Sequence, residues 1–346
     1  MAKQRIISAS QSPPDAEEAV NLSLRPQSLI QYIGQRKLIE KLRIALSAAK
    51  QRDEPMEHVL LHGPPGLGKT TLAHVIANEM STALTVTSGP ALTKGSDLVG
   101  TLTKLQPHDV LFIDEIHRLP VAVEEYIYSA MEDFKIDFVV DSGMHAKTIT
   151  LPLKPFTLIG ATTRAGLLSG PMRSRFGITH HLDFYDLSDM LAILRRSASL
   201  LKIENVSDAV LQSIAVRSRG TPRVANRLLR RVRDYAQIKH ANSFDDAVVQ
   251  HALELEGIDP LGLDDLDRSY LRTIGDIYRG GPVGLEAIAA TLNEDVGTLE
   301  DMVEPYLLQI GFLARTRRGR QLTRQAATHL GLSIVLPETT DELFDA

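Results

Sequence analysis

The chain has 346 residues, longer than a single core usually serves, so two or three domains are expected. Hydrophobic residues make up 43% and charged residues 23%, which excludes a wholly disordered chain. The absence of cysteine excludes disulfide scaffolds, thiolate metal sites and cysteine nucleophiles, and the net charge of −5 confines nucleic-acid contact to a local patch.

Residues 1–20 are polar and carry Pro13-Pro14, which reads as a mobile leader. No signal-like leader or membrane-length apolar run is present, and a cytoplasmic protein is expected. From Arg36 to Lys50, Leu38, Ile39, Leu42, Ala45 and Leu46 recur at helical spacing. His58 to His62 reads as a short buried strand that ends in a Gly-Pro-Pro-Gly turn, and Thr71 to Glu79 as the following helix. Val110–Ile113 and Phe156–Gly160 are further apolar runs, and strands alternating with helices predict a parallel sheet covered on both faces. Ile136 to Val140 and Thr148 to Leu151, around Asp141-Ser142-Gly143, read as a β-hairpin standing off the core. Ile136, Phe138 and Val140 would give it an apolar, solvent-facing side for a partner; packing on its own core is the alternative. Around residue 185 the pattern turns helical, and Thr221-Pro222 reads as N-cap and first helical position. The arginines between Arg217 and Arg233 read mostly as a solvated or intersubunit face.

Gly63-Pro64-Pro65-Gly66-Leu67-Gly68-Lys69-Thr70 fits the G-x-x-x-x-G-K-[ST] pattern between strand and helix. Glycines let backbone N–H groups curl around phosphates, Lys69 would reach the β and γ phosphates, and Thr70 would bind Mg²⁺. Leu111-Phe112-Ile113 runs into Asp114, placed for the Mg²⁺ shell, and Glu115, placed to orient the attacking water as general base.

After residue 264 the chain reads helix, short helix, longer helix from Val296 to Gln309, then a hairpin. The longer helix region is acidic: Glu294 to Glu304 holds five acids and no basic residue, which suits neither phosphates nor a major groove. Arg315, Arg317, Arg318, Arg320 and Arg324 fall within ten residues around Gly319. A winged helix that holds duplex DNA by its wing, through phosphates and with little base reading, is expected.

These motifs, with Ala161-Thr162-Thr163-Arg164 after a strand, resemble an AAA+ ATPase with its sensor-1 segment. Gly170 to Gly177 resembles the segment carrying the trans-acting arginine finger, and Gly220-Thr221-Pro222-Arg223 resembles sensor 2 of the lid. Leu24-Arg25-Pro26, Tyr32-Ile33-Gly34-Gln35 and Met131-Glu132-Asp133-Phe134 narrow the resemblance to the RuvB family of branch-migration motors, over roughly residues 20–333. The resemblance implies an α/β AAA+ P-loop ATPase with a parallel sheet, a helical lid and a C-terminal winged helix. Its expected divisions are a leader at 1–20, a large ATPase domain at 21–184, a lid at 185–256, a winged helix at 257–335 and an acidic tail at 336–346.

It further implies ATP and Mg²⁺ as cofactors. The implied catalytic residues are Lys69, Asp114, Glu115 and Arg175, with Arg173 the competing finger candidate. Nucleotide contacts are implied at Leu24, Arg25, Gly66, Lys69, Thr70, Thr71, Glu132, Asp133, Phe134, Thr162, Arg175, Tyr185 and Arg223. Metal contacts are implied at Thr70 and Asp114, and DNA contacts at Arg315 and Arg320. The implied partners are double-stranded DNA at Holliday junction arms, further copies in a homohexamer, a RuvA tetramer at the hairpin 136–151, and the RuvC resolvase. Competing readings are an AAA+ loader or switch without processive movement, and a winged-helix regulator that uses ATP only to assemble.

Overall fold

The structure, a computed structural model, describes residues 22–139, 148–204, 206–240 and 244–332. The expected leader, the hairpin tip around Asp141-Ser142-Gly143 and the acidic tail lie outside the described residues. The chain divides into two compact units, Met1–Lys202 and Ile203–Ala346.

In the first unit, α1 (Arg36–Arg52) buries Leu38, Ile39, Leu42, Leu46 and Ala49 along one stripe, as the spacing predicts. A five-stranded sheet follows in the order β2-β3-β6-β1-β7. Its strands are β1 (Val59–His62), β2 (Leu84–Ser88), β3 (Val110–Asp114), β6 (Thr157–Thr162) and β7 (Ile178–His181). All its pairings are parallel: Val59 faces Ile159 on one side and Ile178 on the other, and Val110 faces Thr157. Every residue of β6 is buried, as are the first three of β1 and the first four of β3. This is the burial of central strands covered on both faces. The helices are α2 (Lys69–Met80), α3 (Gly95–Leu102), α4 (Val121–Asp133), the short α5 (Gly170–Ser174) and α6 (Leu187–Leu200). Helix α4 lays Val123, Ile127, Ala130 and Met131 on a core that includes Leu60, Ile113, Leu158 and Phe176. Each such large apolar side chain contributes roughly 1.5–3 kcal/mol by leaving water.

Strands β4 (Lys135–Val139) and β5 (Thr148–Pro152) pair antiparallel, Ile136 with Leu151 and Phe138 with Ile149. The hairpin exists, but its expected apolar face is corrected at the base. Ile136 is fully buried in the core of the first unit, in one cluster with Met131 and Leu158, because only Phe134 separates α4 from β4. Ile149, 47% exposed, is the large apolar residue that the described part of the hairpin gives to solvent.

The second unit opens with α7 (Asp208–Arg217), α8 (Pro222–Lys239) and α9 (Asp246–Leu255). Thr221 stands at the N-cap of α8 as expected, yet its hydroxyl donates to the Arg219 carbonyl at 3.2 Å rather than capping a helical N–H. Two of the arginines expected at the surface are structural. Arg217 is buried and bonds the Asp259 carbonyl and Gln250, and Arg219 bridges Asp264 and Asp267 at 2.8 and 2.6 Å.

Next comes a winged helix. It comprises α10 (Asp265–Arg272), α11 (Leu285–Leu292), a helical run that ends in α12 (Glu304–Gln309), strands β8 (Leu313–Thr316) and β9 (Gly319–Leu322), and α13 (Arg324–Leu330). The run from Val296 to Gln309 contains a π-turn at Leu299–Val303. Pro305 lacks the N–H that would bond one turn back, so the helical ladder there must shift its register. Gly319 turns the wing at φ 135°, and a Cβ on it would lie 2.4 Å from the Val283 carbonyl oxygen.

Candidate nucleotide site

Because the sheet is parallel, the turns after β1, β3 and β6 open at one edge, its C-terminal edge. These three strands are neighbours, so the glycine-rich turn, Asp114-Glu115 and Thr162 come together. The Gly63 N–H donates to the Thr162 carbonyl at 3.2 Å, joining the first of these directly to the last.

The phosphate loop runs from Gly63 to Gly68 into the N-terminus of α2. Gly68 has φ +100°, and a Cβ would lie 2.9 Å from the Tyr32 hydroxyl, so the position needs glycine. Lys69, 8% exposed, folds back so that its ammonium donates to the Gly63 and Pro64 carbonyls at 2.8 Å each. Burial lowers its pKa to about 8, partly offset by the nearby Asp114 carboxylate. The cation is thus held inside the loop that a phosphate would occupy. Gly66, Thr70 and Thr71 lie on this loop and the first turn of α2, half-buried.

Asp114 ends β3, and its Oδ1 accepts the Glu115 N–H at 2.9 Å. Glu115 adopts the left-handed conformation, φ 48°, and its carboxylate receives Arg118 at 2.8 Å. Thr162 is 1% exposed at the end of β6. Its hydroxyl lies 2.9 Å from His117 Nδ1 and accepts the Arg164 N–H at 2.9 Å. Thr162 is therefore wired to the short turn that carries Glu115, a link that spacing alone does not disclose.

On the other flank, Tyr185 is buried, with its hydroxyl 3.0 Å from that of Tyr32 and donating to the Leu67 carbonyl at 3.3 Å. Burial pushes the Tyr185 phenol up to about 12 and the Tyr32 phenol well above its usual value, so both stay neutral. Leu24 is buried, and Arg196 on α6 donates to the Leu24 and Arg25 carbonyls at 2.7 and 3.2 Å. Arg196, which no motif singles out, thus holds the backbone of Leu24 and Arg25, while Tyr32, from the Tyr32-Ile33-Gly34-Gln35 motif, holds the Tyr185 hydroxyl.

Glu132, Asp133, Phe134 and Arg175 lie elsewhere. Arg175 lines a cavity of about 300 Å³ with Met56, Glu57, His58, Phe134 and Phe156. All of these precede the strands β1, β6 and β7 or end α4, so the cavity lies at the N-terminal edge of the sheet, opposite the phosphate loop. There Arg175 reaches Glu132 at 3.2 Å, and its guanidinium carbon sits 4.4 Å from the Tyr128 ring centroid. Asp133 pairs with Lys135 at 3.0 Å. His58 accepts the Leu158 N–H at 2.9 Å and meets the Met131 carbonyl at 3.1 Å, tying the end of α4 to the sheet. Arg173, the competing finger candidate, is spent on the Ala165 and Leu168 carbonyls at 2.8 and 3.3 Å.

In the second unit, Arg223 is exposed on the first turn of α8. Arg315 and Arg320 face each other across the wing strands. Both bind Glu304, whose side chain is 0% exposed, and the Tyr270 hydroxyl donates to the same carboxylate at 2.5 Å. Arg317 and Arg318 are exposed at the wing tip.

Three family matches tile the described chain. Residues 24–182 match the family described as "Holliday junction DNA helicase RuvB P-loop domain", residues 185–259 the "RuvB AAA lid domain", and residues 260–331 the "RuvB C-terminal winged helix domain". The chain is 55% identical to the Holliday junction branch migration complex subunit RuvB of Latilactobacillus sakei over 332 residues, covering 96% of this chain and 98% of that one. It is 54% identical to the subunit of the same name from Desulfosudis oleivorans over 339 residues, covering 95% and 98%. Among solved structures, the Thermotoga maritima RuvB Holliday junction branch migration motor is 53% identical, with a TM-score of 0.83 over 90% of this chain and 100% of that one. A phosphate loop with its acids at one sheet edge, an arginine at the other and matches along nearly the whole length lead to one assignment: the chain belongs to the RuvB family of AAA+ P-loop ATPases.

Proposed function

We propose that the protein is the ATP-driven motor of Holliday junction branch migration, a homohexameric ring that moves double-stranded DNA in recombination and repair. The observation that carries this reading is the position of Arg175 at the N-terminal edge of the sheet. Strand β1 has four residues, so at ~3.3 Å each the edges stand about 13 Å apart before the phosphate loop is added. An arginine side chain does not bridge that gap to its own nucleotide. Arg175 therefore serves the nucleotide of a neighbouring copy, and hydrolysis requires the assembled ring. Glu132, Asp133 and Phe134 travel with it and approach the same neighbouring nucleotide.

Within one subunit, Gly66, Thr71 and the start of α2 cradle the phosphates, and Lys69 turns from its loop carbonyls to the β and γ phosphates. Leu24, Arg25 and Tyr185 flank the nucleotide. Thr70 and Asp114 supply hard oxygen donors that fit Mg²⁺, which when bound neutralises charge on the phosphates. Glu115 takes the proton of the attacking water, and Thr162 fixes the turn that holds Glu115. Arg223 would report the state of the nucleotide to the lid.

The wing, with Arg315, Arg320 and the exposed Arg317 and Arg318, holds duplex phosphates without reading sequence, as a motor on arbitrary DNA requires. The hairpin, with Ile149 exposed on it, is the surface for a RuvA tetramer, and the RuvC resolvase acts on the same junctions. No described helix is long and apolar enough to cross a membrane. The proposed site of action is the cytoplasm. The motor divides into an ATPase domain at 21–184, a lid at 185–256 and a winged helix at 257–335.

The test is a synthetic four-way junction with heterologous arms, incubated with the protein, its junction-binding partner and ATP. Repeated conversion to duplex products, abolished by a non-hydrolysable ATP analogue, is the expected result. Binding and one round of ATP turnover with no strand exchange would instead make the protein a loader or switch.

A further inference from the structure

Helix α4 carries Glu124, Tyr128 and Glu132 four residues apart, so the three share one face, next to α5 and Arg175. They do different things there. The Glu124 carboxylate accepts the Tyr128 hydroxyl at 2.6 Å and the Ser169 hydroxyl at 2.9 Å, and Tyr128 and Ser169 are themselves 2.8 Å apart. The ring is thereby pinned at its hydroxyl end. Ser169 also caps α5 by accepting the Met172 N–H at 3.3 Å, and Arg175 is the C-cap of that same short helix. One hydrogen-bonded group thus ties Tyr128 to the start of the helix whose end bears the arginine.

The guanidinium then rests on the face of that ring, 4.4 Å from its centroid, with Nη1 donating to the Pro171 carbonyl at 2.7 Å. Arg175 Nε is buried and has no hydrogen-bond partner among the described residues, so the ring face replaces a hydrogen bond along that side. The remaining partner, Glu132, is 55% exposed, against 21% for Arg175. An exposed ion pair is readily exchanged for a phosphate, whereas the half-buried ring contact need not break.

We propose that Tyr128 is a positioning residue that presents Arg175 to the nucleotide of the adjacent subunit, Glu132 being the contact released when phosphate arrives. This rests on the trans role of Arg175 given above. It makes a specific demand: a defect at Tyr128 impairs the neighbour's site and leaves the subunit's own phosphate loop intact.

The experiment uses full-length Tyr128→Leu, Tyr128→Phe and Arg175→Ala, assayed for DNA-stimulated ATPase alone and mixed with Glu115→Gln. The last retains the finger but cannot turn over. Tyr128→Leu is expected to lose about tenfold to a hundredfold in kcat with KM for ATP changed less than about twofold. Mixing with Glu115→Gln should restore part of the lost turnover, and Tyr128→Phe, which keeps the ring, should retain at least about half of it. Wild-type kcat in Tyr128→Leu would overturn the proposal. So would a Tyr128→Leu defect that mixing leaves uncorrected while Arg175→Ala is corrected, since that is general misfolding. If Arg175→Ala is active alone, or stays inert in the mixture, the trans reading itself fails and takes the proposal with it.

Discussion

Arg175 donates to the Glu132 carboxylate of its own chain across 3.2 Å, at the sheet edge opposite its own phosphate loop. Both residues resemble family nucleotide contacts, yet in one subunit they contact each other. The pair is a resting arrangement that solvent screens, since Glu132 is 55% exposed. Glu132→Ala is expected to change stability by less than about 0.5 kcal/mol, read from the urea midpoint of the full chain.

Lys69 gives a pH signature. Its pKa is about 8 in the folded chain against 10.5 for a free lysine, because burial disfavours the ammonium. Between these values the unfolded chain binds more protons, so Lys69 makes the nucleotide-free protein gain stability as pH rises through that window. Comparing denaturant midpoints of the wild type and Lys69→Met at pH 7.5 and pH 10 checks this: the rise assigned to Lys69 should vanish in the variant. Phosphates need the charged form, so ATP affinity should fall as pH rises above about 8.

Arg196 holds the Leu24 and Arg25 carbonyls from α6. Arg196→Ala releases the segment that flanks the nucleotide and leaves Lys69, Asp114 and Glu115 untouched. The expected outcome is a KM for ATP raised about fivefold, equivalent to about 1 kcal/mol, with kcat unchanged, in steady-state kinetics.

Glu304 holds the wing together. Its burial raises the carboxyl pKa, but bonds from Arg320, Tyr270 and Arg315 outweigh that and hold it below its usual 4.5. The stabilisation is therefore present above pH 4.5 and lost as pH falls through the depressed value. Glu304→Ala leaves two guanidiniums without their shared carboxylate and should cost about 3–5 kcal/mol, read as an early transition of the winged helix in thermal melts.

Features written in a few consecutive residues were legible in the sequence. The phosphate loop needs glycine, lysine and threonine in order, and Asp114-Glu115 follows an apolar run, so both stood out before any fold was known. Strands β2 and β7 did not, because residues such as Thr85, Thr87, His180 and His181 dilute the apolar signal of half-covered strands. Arg196 was hidden for another reason: its partners are backbone carbonyls more than 170 residues away. Glu304 counted as one more of the five acids between Glu294 and Glu304, because one-dimensional charge cannot distinguish an exposed carboxylate from a buried one that ties Arg315 to Arg320. Ile136 alternated correctly with Asp137, but only tertiary packing reveals that the buried side of the hairpin base is its own core. The grouping of Arg175 with Glu132 and Phe134, away from Lys69, needed the strand order.

The shared intersubunit site is tested most directly by mixing Arg175→Ala with Glu115→Gln and measuring DNA-stimulated ATPase. Each alone should be inactive: an arginine finger is worth about 10³–10⁵ in turnover and a general base about 10²–10⁴. The mixture should recover turnover, because a Glu115→Gln subunit lends its Arg175 to a neighbour that keeps Glu115. Full activity of Arg175→Ala alone, or a mixture as inert as its parts, would contradict the assignment of Arg175 to the neighbour's nucleotide.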